Sequence, residues 1–227
     1  MGKLLGQAVS LGYGAIARVR NLAALVAVLA TPAMAEPVTV AALGDSLTQG
    51  YGLVQDQGFV PQLEGWLRAN GAEVTVLNAG VSGDTTAGGL ARVDWTLGDD
   101  VDALIVALGG NDLLRGIDPA VSRANLDGIL QAAAARGLPV LLVGLEAPGN
   151  YGPDFKADFE AMFPDLATEY EALLYTDFLA PLRQGDQAEA LQRLMQSDGI
   201  HPNAEGVKLM VDGIGPEVLK LIARVNS

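Results

Sequence analysis

Short apolar runs that alternate with longer amphipathic stretches most constrain the fold of this chain. The runs consist almost entirely of Val, Leu, Ile and Ala, as expected of strands buried on both faces of a parallel sheet. They predict five strands: Val38–Leu43, Val74–Leu77, Ala103–Leu108, Val140–Leu145 and Leu173–Phe178. The stretches between and after them predict helices at about 56–70, 85–97, 120–136, 154–170, 187–196 and 203–224. This alternation is typical of an α/β fold with helices flanking the sheet.

Several residues at the predicted helix ends are of the types that stop or start helices. Asp154 and Asn203 are candidate N-caps, because their short polar side chains accept hydrogen bonds from the first free backbone N–H groups. Gly71 and Gly137 are candidate C-terminal residues in the left-handed conformation.

The first 35 residues have the pattern of a secretory signal peptide. Lys3, Arg18 and Arg20 precede the apolar run 22–30, which ends in an Ala-x-Ala sequence at 33–35. A bilayer span needs about 20 apolar residues, which is more than this run supplies. We therefore expect cleavage after residue 35 and export of residues 36–227 to the periplasm or the medium, without a stable membrane anchor. A retained anchor or a buried helix is the alternative.

Charge and composition exclude several classes of function. The chain of 227 residues has a net charge of −13, and loss of three positive charges with residues 1–35 leaves −16. Such acidity disfavours binding to nucleic acid and to anionic lipid surfaces. One histidine and no cysteine cannot build a typical zinc site or a disulfide, and no Walker A or complete G-x-G-x-x-G sequence follows a strand. We expect neither a metal nor another cofactor.

Three polar, glycine-rich turns directly follow the first three predicted strands. They comprise residues 44–46, 78–80 and 109–112. In an open parallel sheet, the carboxyl ends of the strands meet at one edge, and ligands bind there. The sequence therefore predicts a functional site at this edge.

Ser46 and His201 are the candidate nucleophile and base of that site. A serine hydroxyl reacts only when a base removes its proton, and His201 is the only histidine of the chain. Asp198 precedes His201 by three residues, a spacing that allows its carboxylate to accept a hydrogen bond from the imidazole. Taken alone, Ser46 would equally suit a helix N-cap, and a lone histidine is more often structural.

An acyl-transfer enzyme also needs donors for the oxyanion of its tetrahedral intermediate. The candidates are the backbone N–H groups of Ser46 and Gly80 and the side-chain amide of Asn111. For Asn111 the alternative is a turn residue that bonds its own backbone. No G-x-S-x-G elbow is present, which argues against the usual α/β-hydrolase fold.

Four sequence blocks together resemble the SGNH/GDSL hydrolase superfamily. They are, in order, Gly44-Asp45-Ser46-Leu47, Gly80, Gly110-Asn111-Asp112 and Asp198-x-x-His201. Residues 78–85, 88–92, 108–116 and 148–152 are similar to the subgroup of bacterial periplasmic acyl-CoA thioesterases, lysophospholipases and arylesterases. The resemblance implies one three-layer αβα domain over residues 36–227, with a flavodoxin-like parallel sheet in the order 2-1-3-4-5.

The same resemblance implies the roles of the site residues. Ser46, Asp198 and His201 would form the catalytic triad, and Ser46, Gly80 and Asn111 the oxyanion hole. Apolar residues near the site suggest an acyl pocket, although they equally suit a core: Leu47, Leu113, Leu145 and Pro148, together with Leu114 and Ile117.

We therefore expect a monomeric serine hydrolase that acts on small-molecule or lipid-like acyl esters or thioesters. A carbohydrate deacetylase of the same superfamily and a non-catalytic exported binding module are the alternatives.

Overall fold

A computed structural model describes residues 37–183 and 192–225, in which helices flank a five-stranded sheet. Its strands are β1 (Val38–Gly44), β2 (Val74–Gly80), β3 (Ala103–Ala107), β4 (Val140–Val143) and β5 (Leu173–Tyr175). Every neighbouring pair is parallel, and the strand order is 2-1-3-4-5. The predicted fold class and strand order are confirmed.

The helices form the two outer layers. They are α1 (Ser46–Gln49), α2 (Phe59–Ala69), α3 (Thr86–Thr96), α4 (Gly110–Leu114), α5 (Pro119–Ala134), α6 (Pro153–Glu169) and α7 (Ala204–Val225). Helix α2 packs against α7, whereas α5 packs against both α3 and α6, so the sheet lies between two helical layers. Short 3-10 turns occur at Gln55–Gln57, Gly149–Tyr151 and Ala180–Arg183.

The core lies between the sheet and these two layers. Strands β3 and β4 are buried along their whole length, which explains why their sequences are apolar without alternation. Phe59 meets Phe178 edge-on on one side, and Phe159 meets Phe163 edge-on on the other. Each of these four rings is almost fully buried, and burying one contributes about 1.5–3 kcal/mol to stability.

Several strand ends differ from the sequence prediction, and the difference at the end of β2 affects the site. Strand β2 extends three residues beyond Leu77, because Asn78 at the sheet edge keeps its side chain exposed while its backbone stays paired with β1. Gly80 therefore pairs with Gly44 inside the sheet and does not lie in the following turn. Strand β5 is shorter than predicted and ends at Tyr175.

Most helix termini agree with the caps expected from sequence. The Asn203 Oδ1 accepts hydrogen bonds from the N–H groups of Glu205 and Gly206, and Gly71 and Gly137 have φ of +88° and +68°. The predicted cap at Asp154 is wrong. Gly152 occupies the N-cap of α6 and Pro153 begins the helix, so Asp154 lies within the first turn.

Two predictions fall wholly or partly outside the described residues. The predicted signal peptide, residues 1–35, is one, and the first half of the helix predicted at 187–196 is the other. Within residues 37–183 and 192–225, we find no helix with the length and apolarity that a bilayer span requires.

Candidate active site

Ser46 lies at the first position of α1, immediately after β1 leaves the sheet. The N-cap of this helix is Asp45, whose Oδ1 accepts from the Leu47 N–H at 3.0 Å. The interpretation of Ser46 as a capping residue is therefore wrong. Its hydroxyl lies 2.8 Å from the His201 Nε2, and its N–H makes no hydrogen bond to any described residue.

Asp198 and His201, the predicted acid–base pair, are hydrogen-bonded to each other on one turn. The Asp198 Oδ2 lies 2.6 Å from the His201 Nδ1, and its Oδ1 accepts from the N–H groups of Ile200 and His201. Hydrogen bonds from the His201 backbone and ring and from the Ile200 backbone lower the pKa of Asp198 to about 2. The carboxylate is therefore ionised at neutral pH and holds the proton of Nδ1, which leaves Nε2 directed at the Ser46 hydroxyl.

Gln196 connects the turn that carries His201 to the segment that follows Ser46. Its N–H donates to the His201 carbonyl at 2.8 Å, and its side-chain amide donates to the carbonyls of Pro202 and Tyr51. The Tyr51 ring lies 4.6 Å from the His201 ring between centroids. The contact between Ser46 and His201 is thus supported by a side chain that takes no part in it.

Asn111 lies in α4, which begins directly after β3. Gly109 at φ +118° makes the sharp turn into this helix. The Asn111 side-chain Nδ2 donates to the Asp45 Oδ2 at 3.3 Å, across 66 residues of sequence. This long-range contact shows that the interpretation of Asn111 as a self-bonded turn residue is wrong.

Asp45 is a buried carboxyl at the centre of these contacts, with 3% of its surface exposed. Burial raises the pKa of Asp45 to about 6, although hydrogen bonds from the Leu47 N–H and the Asn111 amide act in the opposite direction. The Asp45 carboxylate therefore connects helix α1, which begins at Ser46, to helix α4, which contains Asn111.

Gly80 does not occupy the position predicted for it. It lies inside β2, its N–H donates to the Asn78 Oδ1 at 3.0 Å, and it is not part of the cavity wall. A Cβ at this position would lie 2.3 Å from the backbone N of Gln49. The predicted oxyanion role of Gly80 is thus not supported, and glycine is needed here for the close approach of α1 to β2.

Gly83, three residues after Gly80, has the position expected of a backbone oxyanion donor, the role predicted for Gly80. It lines the cavity beside Ser46, and its φ of +82° explains why glycine is preferred. Its N–H makes no hydrogen bond to the described residues, and its carbonyl accepts from Arg115. The sequence does indicate a turn at Ser82-Gly83-Asp84. Because the predicted β2 ends at Leu77, however, the turn was expected at Gly80 instead of Gly83.

A cavity of about 360 Å³ opens in front of Ser46. Leu47, Leu113 and Leu145 line it as predicted, and so does Leu114. Sequence reasoning missed other wall residues, namely Tyr51, Ser82, Gly83, Glu146, Leu179 and Ile200. Pro148 was expected in the wall but is absent from it, because it lies exposed at the start of the 3-10 turn Gly149–Tyr151.

Metal-ligating side chains do not cluster in the described part of the chain. Among those residues there is no group of three or more His, Cys, Asp or Glu that could hold a metal ion.

The arrangement is chemically suited to nucleophilic attack on a carbonyl carbon. A hydroxyl bonded to an imidazole that is oriented by a carboxylate can be deprotonated as it attacks. The N–H groups of Ser46 and Gly83 and the amide of Asn111 border the same cavity, and each is a possible donor to an oxyanion.

Comparisons with known proteins agree with this geometry. The GDSL-like Lipase/Acylhydrolase family matches residues 42–209. Esterase TesA of Pseudomonas aeruginosa is 37% identical over 81% of this chain and 89% of its own length. Thioesterase 1/protease 1/lysophospholipase L1 of Escherichia coli is 33% identical over 89% of this chain and 93% of its own.

Solved structures show the same similarity. The SGNH-hydrolase family esterase AlinE4 superposes with a TM-score of 0.67 at 41% identity, over 82% of this chain and 97% of that protein. The crystal structure of TesA superposes with a TM-score of 0.73 at 36% identity, over 81% of this chain and 99% of that protein. The chain therefore belongs to the GDSL-like lipase/acylhydrolase family and is a carboxylic ester hydrolase of the SGNH type.

Proposed function

We propose that this hydrolase cleaves esters and thioesters of apolar acyl groups through an acyl-enzyme formed on Ser46. The observation that carries the proposal is the 2.8 Å contact between the Ser46 Oγ and the His201 Nε2, at the mouth of a cavity with largely aliphatic walls. Asp198, bonded to the other ring nitrogen, completes the proposed triad.

The reaction proceeds in two halves that use the same groups. His201 takes the Ser46 proton while the oxygen attacks the acyl carbonyl, and it then gives that proton to the leaving alcohol or thiol. In the second half, His201 takes a proton from water, the hydroxide attacks the acyl-enzyme, and the acid leaves as Ser46 regains its proton. Ionised Asp198 stabilises the imidazolium formed in both halves.

The negative charge on the carbonyl oxygen needs donors that are already in place. We assign this role to the N–H groups of Ser46 and Gly83 and to the Asn111 amide. Both N–H groups lack a partner among the described residues, and the Asn111 Nδ2 has a second hydrogen beyond the one donated to Asp45. Removing one such donor from a serine hydrolase typically costs about 3 kcal/mol of transition-state stabilisation.

The cavity wall favours an apolar acyl chain over a polar sugar. Six of the wall residues are aliphatic: Leu47, Leu113, Leu114, Leu145, Leu179 and Ile200. Each methylene transferred from water to such a surface contributes about 0.8 kcal/mol, which corresponds to about fourfold in kcat/KM when the contact persists in the transition state. Among the relatives, one is named an arylesterase and two a thioesterase and lysophospholipase.

A series of p-nitrophenyl esters from acetyl to dodecanoyl tests the substrate class. We expect kcat/KM to rise by up to about fourfold per methylene until the cavity is filled, and then to level off. Leu114→Ala is expected to flatten the rise because this exposed leucine lines the cavity, whereas Val121→Ala on α5 is the matched control and leaves it unchanged. A maximum at acetyl with a steep fall for longer chains would contradict the proposal and favour a carbohydrate deacetylase.

We also propose that the protein is exported after removal of residues 1–35. The support is the basic segment, the apolar run and the Ala-x-Ala sequence at its end. When the full chain is expressed in a secreting bacterial host, intact mass and N-terminal sequencing of the exported protein are expected to show Glu36 as the first residue. Exported protein that still begins at Met1 would refute cleavage. That the exported protein is a monomer stays a prediction.

A further inference from the structure

We propose that Arg92 is a positioning residue that fixes the Gly83 turn relative to the strand that carries Ser46. Arg92 lies on α3 and makes three hydrogen bonds in three directions. Its Nε donates to the Asp84 Oδ2 at 2.6 Å, one terminal nitrogen donates to the Ala79 carbonyl at 2.7 Å, and the other donates to the Gly44 carbonyl at 2.9 Å. This inference rests on the proposed function, because it assigns a consequence to the oxyanion role of Gly83.

The three acceptors belong to the three segments whose relative position matters for the proposed reaction. Gly44 ends β1 two residues before the nucleophile, Ala79 lies near the end of β2, and Asp84 directly follows Gly83. One planar guanidinium therefore links the nucleophile's strand, the neighbouring strand and the turn that bears the free N–H.

The site around Arg92 is built for this contact. The side chains of Arg92 and Asp84 are 22% and 17% exposed, so the ion pair is largely shielded from solvent. Gly88 leaves room for the Asp84 carboxylate, because a Cβ there would lie 2.2 Å from the Asp84 Oδ1. Loss of Arg92 would leave the shielded Asp84 carboxylate and the Ala79 carbonyl without this donor, which is unfavourable, so Arg92 stabilises the position of the turn.

Two other contacts hold the outer part of the turn without reaching the nucleophile's strand. Arg115 donates to the Gly83 carbonyl at 2.8 Å, and the Thr86 N–H donates to the buried Asp112 Oδ2 at 2.8 Å. Two links join this turn to β1. The Val81 N–H donates to the Gly44 carbonyl, and Arg92 bridges the Asp84 carboxylate and the same carbonyl. Without Arg92 the turn keeps these outer contacts and the Val81 bond, but the part of the turn around Gly83 and Asp84 loses its link to β1.

Arg92→Lys tests this role because lysine keeps the charge but cannot reach three acceptors in a fixed plane. A displacement of about 1 Å in an active site can cost 10²-fold in rate, so we expect kcat for p-nitrophenyl butyrate to fall by about 10- to 100-fold with KM within about twofold. The second readout is the inhibition constant of an alkylboronic acid, which adds to the serine oxygen as a tetrahedral anion. We expect it to rise by a similar factor, since the anion needs the same donors as the oxyanion.

Arg68→Lys is the matched control. Arg68 also pairs with a carboxylate, Glu64, and donates to a β2 carbonyl, that of Val74, but at the opposite end of the strand. We expect Arg68→Lys to lower Tm without changing kcat or boronate affinity. If both lysine variants lower Tm equally and Arg92→Lys leaves kcat and boronate affinity within twofold of wild type, the positioning role is refuted.

Further variants separate failure of this inference from failure of the proposed function. Asn111→Ala in the same two assays tests the oxyanion site itself. If Asn111→Ala lowers kcat and boronate affinity but Arg92→Lys does not, only the positioning role of Arg92 is contradicted. If Arg92→Lys does not fold, Asp84→Asn replaces it, because it keeps the shape of the side chain but removes the ion pair. A loss of kcat and boronate affinity in the same direction is then expected, and wild-type values refute the proposal.

Discussion

Ser46→Ala is expected to lower kcat by at least about 10⁴-fold, because removal of the nucleophile leaves only the binding and oxyanion groups to assist attack by water. The fold should survive. The Ser46 hydroxyl makes its one side-chain hydrogen bond within the described residues to His201, and alanine is compatible with the first turn of α1. The measurement is kcat on the best ester of the chain-length series, together with Tm to verify folding.

Ser197→Ala is the matched control for this prediction. Ser197 is an exposed serine directly before Asp198, on the same turn as the proposed base, and its hydroxyl is not part of the cavity wall. It should retain wild-type activity. A fluorophosphonate probe should label the wild-type protein and Ser197→Ala on Ser46, as seen by peptide mass spectrometry, and leave Ser46→Ala unlabelled. Turnover at the wild-type rate in Ser46→Ala would refute the acyl-enzyme mechanism.

Asn111→Ala has the second-largest expected effect, a loss of about 10²–10³-fold in kcat. The side-chain amide is bonded to the buried carboxylate of Asp45, which orients it before substrate arrives. A donor that needs no reorganisation stabilises the oxyanion more than it stabilises the ground-state carbonyl, so KM should change little.

Asn70→Ala controls for loss of an asparagine amide as such. Asn70 donates to the Trp66 carbonyl at the end of α2 and is not part of the cavity wall. Its replacement should leave kcat unchanged. If Asn111→Ala also keeps the wild-type kcat, the oxyanion is held by backbone N–H groups without the Asn111 amide.

The sheet could be predicted from sequence because its central strands β1, β3 and β4 are buried on both faces. Short continuous apolar runs such as those of β3 and β4 are compatible with few structures other than a buried strand. The strand order was predicted from the family resemblance. Helices α1 and α4 were not predicted because helices of four or five residues are too short to show a 3.6-residue period.

The candidate site was predictable where the residue type leaves little choice. A single histidine with an aspartate three residues before it suggested the base and its partner, and the structure brings both to Ser46. The choice of Gly80 over Gly83 depended on the end of β2, which lies at polar residues and cannot be read from apolarity. Tyr51 and Ile200 were missed because only the packing of loops directs them towards the cavity.

The turn 198–201 has a consequence for how the enzyme can be altered. Imidazole and carboxylate come from residues three apart and are joined by bonds within that turn, whereas the serine lies 155 residues away. The proposed proton-transfer pair therefore lies on one local turn, apart from the segments around residues 113 and 145 that line part of the cavity. Substrate preference can then be redesigned in those segments while the acid–base chemistry is left intact.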